Sequence, residues 1–196
     1  LSNLDADLRE YTRHEIKKLH KKLNSVFLYV THDQVEAMTM GDRIVVMKNG
    51  QIQQFDIPKN IYEHPANEFV AKFIGTPKIN FVDADYYEFI TGKKISGQSV
   101  RIGIRPEHIS VQKDPKNTSG CIVSGIELLG KEIHIHLCFL QNDDIVVCLP
   151  QSVFDAEIQV GDHVFCRADE EKILIFNKKR LVNTPSINYE KRKNYE

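Results

Sequence analysis

Three groups of side chains in this sequence have the types and spacing that chemistry needs. The first is His32, standing with Thr31 and Asp33 where the apolar run Val26–Val30 gives way to a short helical pattern. In open α/β sheets ligands bind beyond the carboxyl ends of the strands, so a polar side chain at that point is a candidate for contact with a bound group. The second is the pair His134 and His136 in the run "IHIH", which places both imidazoles on one face of a strand and Ile133, Ile135 and Leu137 on the other. Two residues of spacing permits metal binding, but no third ligand is evident from the sequence. A solvated strand face is therefore the expectation, and no metal site is assigned. The third is Arg105, Glu107 and His108 in "GIRPEH", expected to brace a turn rather than to hold a ligand. Four cysteines, Cys121, Cys138, Cys148 and Cys166, never stand at C-x-x-C spacing, which argues against a zinc or thioredoxin-like motif. Each lies in an apolar, strand-like run, where a free thiol behaves as a small hydrophobe, and a reduced, cytoplasmic protein is expected.

These groups need elements to position them. Ala6 to Leu23 has the spacing of an amphipathic helix, with Leu8, Tyr11, Ile16, Leu19 and Leu23 near one face. Lys17, Lys18, Lys21 and Lys22 are expected on its wet side. Val26–Val30 is short and continuously apolar, which predicts a strand covered on both faces. Asp33 is expected to cap the next helix, with Glu36 completing a capping box and Gly41 ending it in the left-handed conformation. Ile44–Met47 and Gln51–Phe55 flank Asn49-Gly50, the pattern of a hairpin. Short helices are predicted around Pro58–Tyr62 and Asn67–Ile74, with Gly75-Thr76-Pro77 as a stop.

Beyond Pro77 helical spacing gives way to short strand-like runs between turn signals. They are Ile79–Val82, Tyr86–Ile90, Val100–Ile104, Ile109–Gln112, Cys121–Leu129, Glu132–Leu140, Ile145–Leu149, His163–Arg167 and Ile173–Phe176. That texture predicts a barrel or sandwich, and it puts a domain boundary between residues 76 and 77. The chain has 196 residues, 41% hydrophobic and 27% charged, with a formal net charge of -1. This balance supplies a core and gives no basic field for nucleic acid or acidic membranes. No apolar run approaches the roughly 18 residues of a membrane span. The opening "LSNLDADLRE" is polar, has no initiator methionine and does not look like a signal peptide, so a piece of a longer protein is expected.

Three stretches in order, "LSNLDADLR", "YVTHDQVEAMTMGDRIVVMKNGQI" and "GIRPEH", joined by "PANEFVAKFIGTPKINF", closely resemble the C-terminal half of ATP-binding subunits of ABC importers of the maltose and multiple-sugar type. The resemblance implies an α/β remnant of a P-loop nucleotide-binding domain over 1–76, then an all-β, OB-like TOBE regulatory and dimerisation domain over 77–196. It implies that Ser2, Asn3 and Asp5 are D-loop positions at the dimer seam, although Asp5 by itself also suits a helix cap. It implies that His32 is the switch histidine, whose imidazole donates to the nucleotide's terminal phosphate and helps hold the attacking water. Arg105, Glu107 and His108 fall on the regulatory-domain motif.

The implied function is that of the ATP-hydrolysing subunit of a carbohydrate importer, with ATP and Mg2+ as ligands of the intact subunit. Its partners would be a second copy of itself, membrane permease subunits, and a regulatory protein or small effector on the TOBE domain; nucleic acid is not expected. The location would be cytoplasmic, peripheral on the inner face of the membrane. The alternatives are a stand-alone, non-catalytic regulatory module, or the ATPase subunit of a glycerol-phosphate or polyamine importer. The sequence contains no G-x-x-x-x-G-K-[ST] loop and lacks the family's signature and Walker B motifs, so this chain alone is expected to be inactive.

Overall fold

The computed structural model describes residues 6–23, 25–82, 84–93, 100–117, 119–139 and 143–177. Helix α1 (Ala6–Leu23) has the bounds its periodicity predicts. Its apolar positions Leu8, Tyr11, Leu19 and Leu23 are nevertheless exposed, and Phe27 meets the edge of His20, ring centroids 5.2 Å apart. The expected buried strand at Val26–Val30 is instead irregular chain without a ladder, and Val26 is 99% exposed. The correction has a simple cause: a strand exists through backbone pairing, and no strand among the described residues lies beside this one.

Helix α2 (Gln34–Met40) starts at Asp33, whose carboxylate accepts from the backbone N–H of Val35 at 2.7 Å and of Glu36 at 3.2 Å. Glu36 does not complete a capping box. Its buried carboxylate turns back instead to accept from Thr31 Oγ1 at 2.7 Å and the Tyr29 hydroxyl at 3.0 Å. Gly41 closes the helix at φ -82° rather than in the left-handed region, because the chain there runs straight toward an extended strand. That strand, β1 (Ile44–Lys48), pairs antiparallel with β2 (Gln51–Asp56). The turn residues Asn49 and Gly50 take φ of 51° and 75°, as an Asn-Gly hairpin requires.

Two short helices follow. Pro58 opens α3 (Pro58–Glu63), and the Asn67 side chain caps α4 (Glu68–Phe73) by accepting from Val70 N at 3.0 Å. Ile44, Val46, Ile61, Val70 and Ile74 bury themselves together as the small core of this part.

The rest is β-rich, with one exception. It comprises β3 (Asn80–Val82), α5 (Ala84–Thr91), β4 (Val100–Ile104), β5 (Ile109–Lys113), β6 (Cys121–Leu128), β7 (Glu132–Phe139), β8 (Asp143–Pro150), β9 (Val164–Ala168) and β10 (Leu174–Asn177). The exception corrects the strand expected at Tyr86–Ile90, which is helix α5. Tyr86 and Ile90, four residues apart, enter the core together, and Phe89 packs on Phe139 with centroids 4.7 Å apart. The strands form antiparallel sheets in the orders β10-β4-β3, β5-β9 and β6-β7-β8, an OB-like arrangement. Ile102, Ile104, Ile109, Ile135, Leu137, Val147 and Val164 fill its interior. Cys121 and Cys166 meet there as free thiols, 3.4 Å apart. Asn80 ties two sheets by imitating a strand: its amide donates to Val146 O at 2.8 Å and accepts from Val146 N at 2.9 Å.

Candidate functional site

His32 sits on the bend between the unladdered run and α2, and its side chain is exposed. The loop under it is laced by Thr31, whose hydroxyl oxygen accepts from Asp33 N at 3.0 Å while donating to Glu36. His32 therefore projects from a fixed point although it is a loop residue. It lines a groove of about 390 Å³ together with Gln34, Phe69, Lys72, Phe73 and Lys78. Phe69 and Phe73 stack at 5.7 Å, giving the groove a flat apolar wall, and the two lysines give it positive charge. That combination suits an anionic ligand with a planar apolar part.

Gln34, two residues beyond His32, was not singled out by the sequence. Its side-chain oxygen accepts from Gly75 N at 2.7 Å, and its amide nitrogen donates to Thr76 Oγ1. The start of α2 is thereby fastened to the segment that leads into the β-rich part.

Arg105 fastens the same junction from the other side. It is 1% exposed. Its guanidinium donates to Ile74 O and, at 2.9 Å, to Tyr62 O, with a longer approach of 3.5 Å to Ala71 O. It lies 3.8 Å from the centre of the Tyr62 ring. Burial pulls its pKa below the ordinary arginine value, against the opposing pull of Tyr62 and Glu107. Tyr62 also donates its hydroxyl to Glu107; burial first, then that bond, raise the tyrosine pKa. So Arg105 and Glu107 do not brace a turn within their own domain, as expected. They reach across to α3 and α4, because the short turn Pro106–His108 points them there. His108 stays in its turn: its N–H donates to Arg105 O at 2.9 Å, and its carbonyl accepts from Asp169 N at 2.9 Å.

The third cluster lies on the β6-β7-β8 sheet. Ile133, Ile135 and Leu137 face the core, and His134 and His136 face away, as the alternation predicts. The far face is not simply solvated, however: the His134 side chain is 13% exposed. The ladder sets Glu127 of β6 and Cys148 of β8 directly opposite His134 on its two sides. Cys148 Sγ lies 3.6 Å from Glu132 Oε2, and His134 Nε2 lies 3.9 Å from the same oxygen. Burial, reinforced by Glu132 and Glu107, pushes the Cys148 thiol up to about 11. Further ligand-type groups do converge here, contrary to the expectation. Glu132 stands two residues before His134 and is legible from the same alternation, whereas Cys148 comes from the neighbouring strand and only the ladder register reveals it.

Ser2, Asn3 and Asp5 lie outside the described residues. Their positions relative to His32 rest on the resemblance.

Residues 102–176 match the family model described as TOBE domain. A maltose/maltodextrin import ATP-binding protein, MalK, of Mannheimia succiniciproducens is 43% identical over 178 residues, covering 75% of this chain and 48% of that protein. A putative ATP-binding protein of Brucella suis biovar 1 is 42% identical over 191 residues, 91% of this chain and 53% of that protein. An uncharacterized ABC transporter ATP-binding protein, YcjV, of Escherichia coli O6:H1 is 49% identical over 126 residues, 64% of this chain and 34% of its own length. The chain spans about half the length of the first two relatives.

Proposed function

The chain belongs to the TOBE-bearing ATP-binding proteins of ABC transporters, and from that premise we propose that it is the C-terminal part of the ATP-hydrolysing subunit of a carbohydrate importer. The observation that carries the proposal is His32, an exposed imidazole on a braced bend at the edge of a groove flanked by Lys72 and Lys78. In that place His32 donates a hydrogen bond to the terminal phosphate of ATP. It orients the attacking water with the other nitrogen, and its contact strengthens as charge develops in transfer. On this reading Ser2, Asn3 and Asp5 are D-loop positions assigned by the family resemblance alone. The groove lining offers no carboxylate for Mg2+, and the Walker motifs that hold the ion in this chemistry are not in the sequence, so the chain by itself turns over no ATP.

Residues 1–76 form the nucleotide-side unit and 77–196 the regulatory and dimerising unit of this reading. The two are joined by the Arg105 contacts to Ile74 and Tyr62 and by the Tyr62–Glu107 hydrogen bond. The subunit pairs with a second copy through the β-rich unit and docks on membrane permease subunits at the cytoplasmic face. The maltose relative supports a sugar as cargo. The test is His32→Ala in the longer protein that contains this chain. Turnover falls roughly 10²-fold or more while nucleotide affinity stays within a few-fold, the signature of a contact used in the transition state. Near-normal turnover would show that His32 is not the switch.

A further inference from the structure

We propose that Glu132, His134 and Cys148 form a binding site for a divalent transition metal, zinc by the chemistry of the donors, on the face of the β6-β7-β8 sheet turned away from the core. One carboxylate oxygen, one imidazole nitrogen and one sulfur converge there, all within 4.8 Å of one another. Zinc bonds of about 2.0–2.3 Å in a tetrahedron set ligand atoms roughly 3.3–3.6 Å apart. The observed 3.6 Å from Cys148 Sγ to Glu132 Oε2 already meets that spacing, and the 3.9 Å from His134 Nε2 to Glu132 Oε2 needs a shift of a few tenths of an ångström.

The frame is rigid. His134 and Cys148 are ladder partners on paired strands, and Glu132 precedes His134 by two residues on the same face. His134 Nε2 is buried with no hydrogen-bond partner, an arrangement that costs free energy unless something else satisfies the atom. Its other nitrogen, Nδ1, faces Glu127 Oε2 at 3.9 Å. That is beyond hydrogen-bond length, and a closer approach of the carboxylate on binding would hold the proton on Nδ1 and leave Nε2 to ligate. His136 Nε2 lies 3.3 Å from Glu127 Oε1 and is likewise buried without a hydrogen bond. On binding, the Cys148 S–H bond breaks, the thiolate takes the metal and the proton leaves to solvent. Thiolate with imidazole selects zinc over magnesium or calcium, and a fourth position is left for water.

Cobalt(II) is the probe. The full chain, stripped with a chelator, is titrated with Co2+ while the visible d–d bands and the near-ultraviolet sulfur-to-cobalt charge-transfer band are recorded. One equivalent gives both bands, and Zn2+ abolishes them by displacement. Cys148→Ser removes the charge-transfer band, His134→Gln weakens binding at least tenfold, and Cys138→Ser, at the far end of β7, changes neither. No band at one equivalent, or a charge-transfer band that survives Cys148→Ser or disappears in Cys138→Ser, overturns the site. X-ray absorption of the zinc-loaded unmutated chain tests the same point without relying on a variant's folding: one sulfur neighbour at about 2.3 Å supports it, and a shell of oxygen and nitrogen alone overturns it.

Discussion

Replacing Arg105 tests whether one side chain holds the junction together. Arg105→Ala removes two well-formed charged hydrogen bonds, to Ile74 O and Tyr62 O. The Ala71 contact at 3.5 Å is too long to count for much. At about 1.5 kcal/mol for each bond to a charged donor, the loss is about 3 kcal/mol. The guanidinium 3.8 Å from the Tyr62 ring centre, desolvated as it is, adds about 1 kcal/mol. The expected destabilisation is therefore about 4 kcal/mol, close to 2 M in urea midpoint for a slope of about 2 kcal/mol/M. Arg105→Lys keeps the charge but cannot fork to two carbonyls, so it recovers part of the loss and lands about halfway. The chain has no tryptophan, so unfolding is followed by far-ultraviolet circular dichroism and tyrosine fluorescence. A midpoint shift under about 0.5 M for Arg105→Ala, or a lysine variant as damaged as the alanine one, would refute the reasoning.

Two further outcomes follow from neighbouring geometry. Gly75 has φ +118°, and an added Cβ would stand 2.5 Å from Arg105 Nη1, so Gly75→Ala should cost about 2 kcal/mol or more in the same urea titration. Gly50→Ala, with nothing within 4 Å, carries only the strain of its φ; equal costs at the two glycines would dismiss the clash. The Asp162 carboxylate accepts from Lys113 Nζ at 2.9 Å and from Gln159 N at 2.8 Å, and these contacts hold its pKa below the ordinary aspartate value. A depressed folded-state pKa contributes stability above the unfolded value and loses it as pH falls through the folded one. A carboxyl NMR titration should place Asp162 below the usual aspartate range and Lys113→Met should raise it; an ordinary midpoint in the unmutated chain would contradict the pairing.

What the sequence disclosed about this fold is mostly what short-range chemistry decides. Asn49-Gly50, Pro58, Asp33 and Asn67 each do locally what their side chains dictate, and the structure places a turn, a helix start or a cap at each. Tyr86–Ile90 misled because five apolar residues fit either period, and a partner on another strand, Phe139, favours the helix. Val26–Val30 misled because apolar character cannot supply a neighbour. The candidate site divides the same way. His32 is legible from its place after an apolar run, whereas Gln34 depends on a contact 41 residues away. Arg105 finds its acceptors 31 and 43 residues earlier in the chain, and Cys148 is set beside His134 by ladder register. Spacing within a motif carries none of that information.

The unladdered run beside His32 has a consequence for how the chain behaves in a tube. Ser25 to Val30 is six residues without a charge, a proline or a glycine, rich in β-branched and aromatic side chains, with its backbone unladdered and Val26, Leu28 and Val30 in water. Such a hexamer is the sort that adds edge to edge with copies of itself into cross-β stacks. The residues around it act as gatekeepers: Lys21 and Lys22 before it and Asp33 after it put charge at both ends of any stack. Self-association at this segment would grow without a defined end, whereas a pair formed by the β-rich part would stop at two. Raising the salt concentration screens the gatekeepers and favours the open-ended process, so a sedimentation profile that lengthens with salt reports on this edge and not on a symmetric dimer.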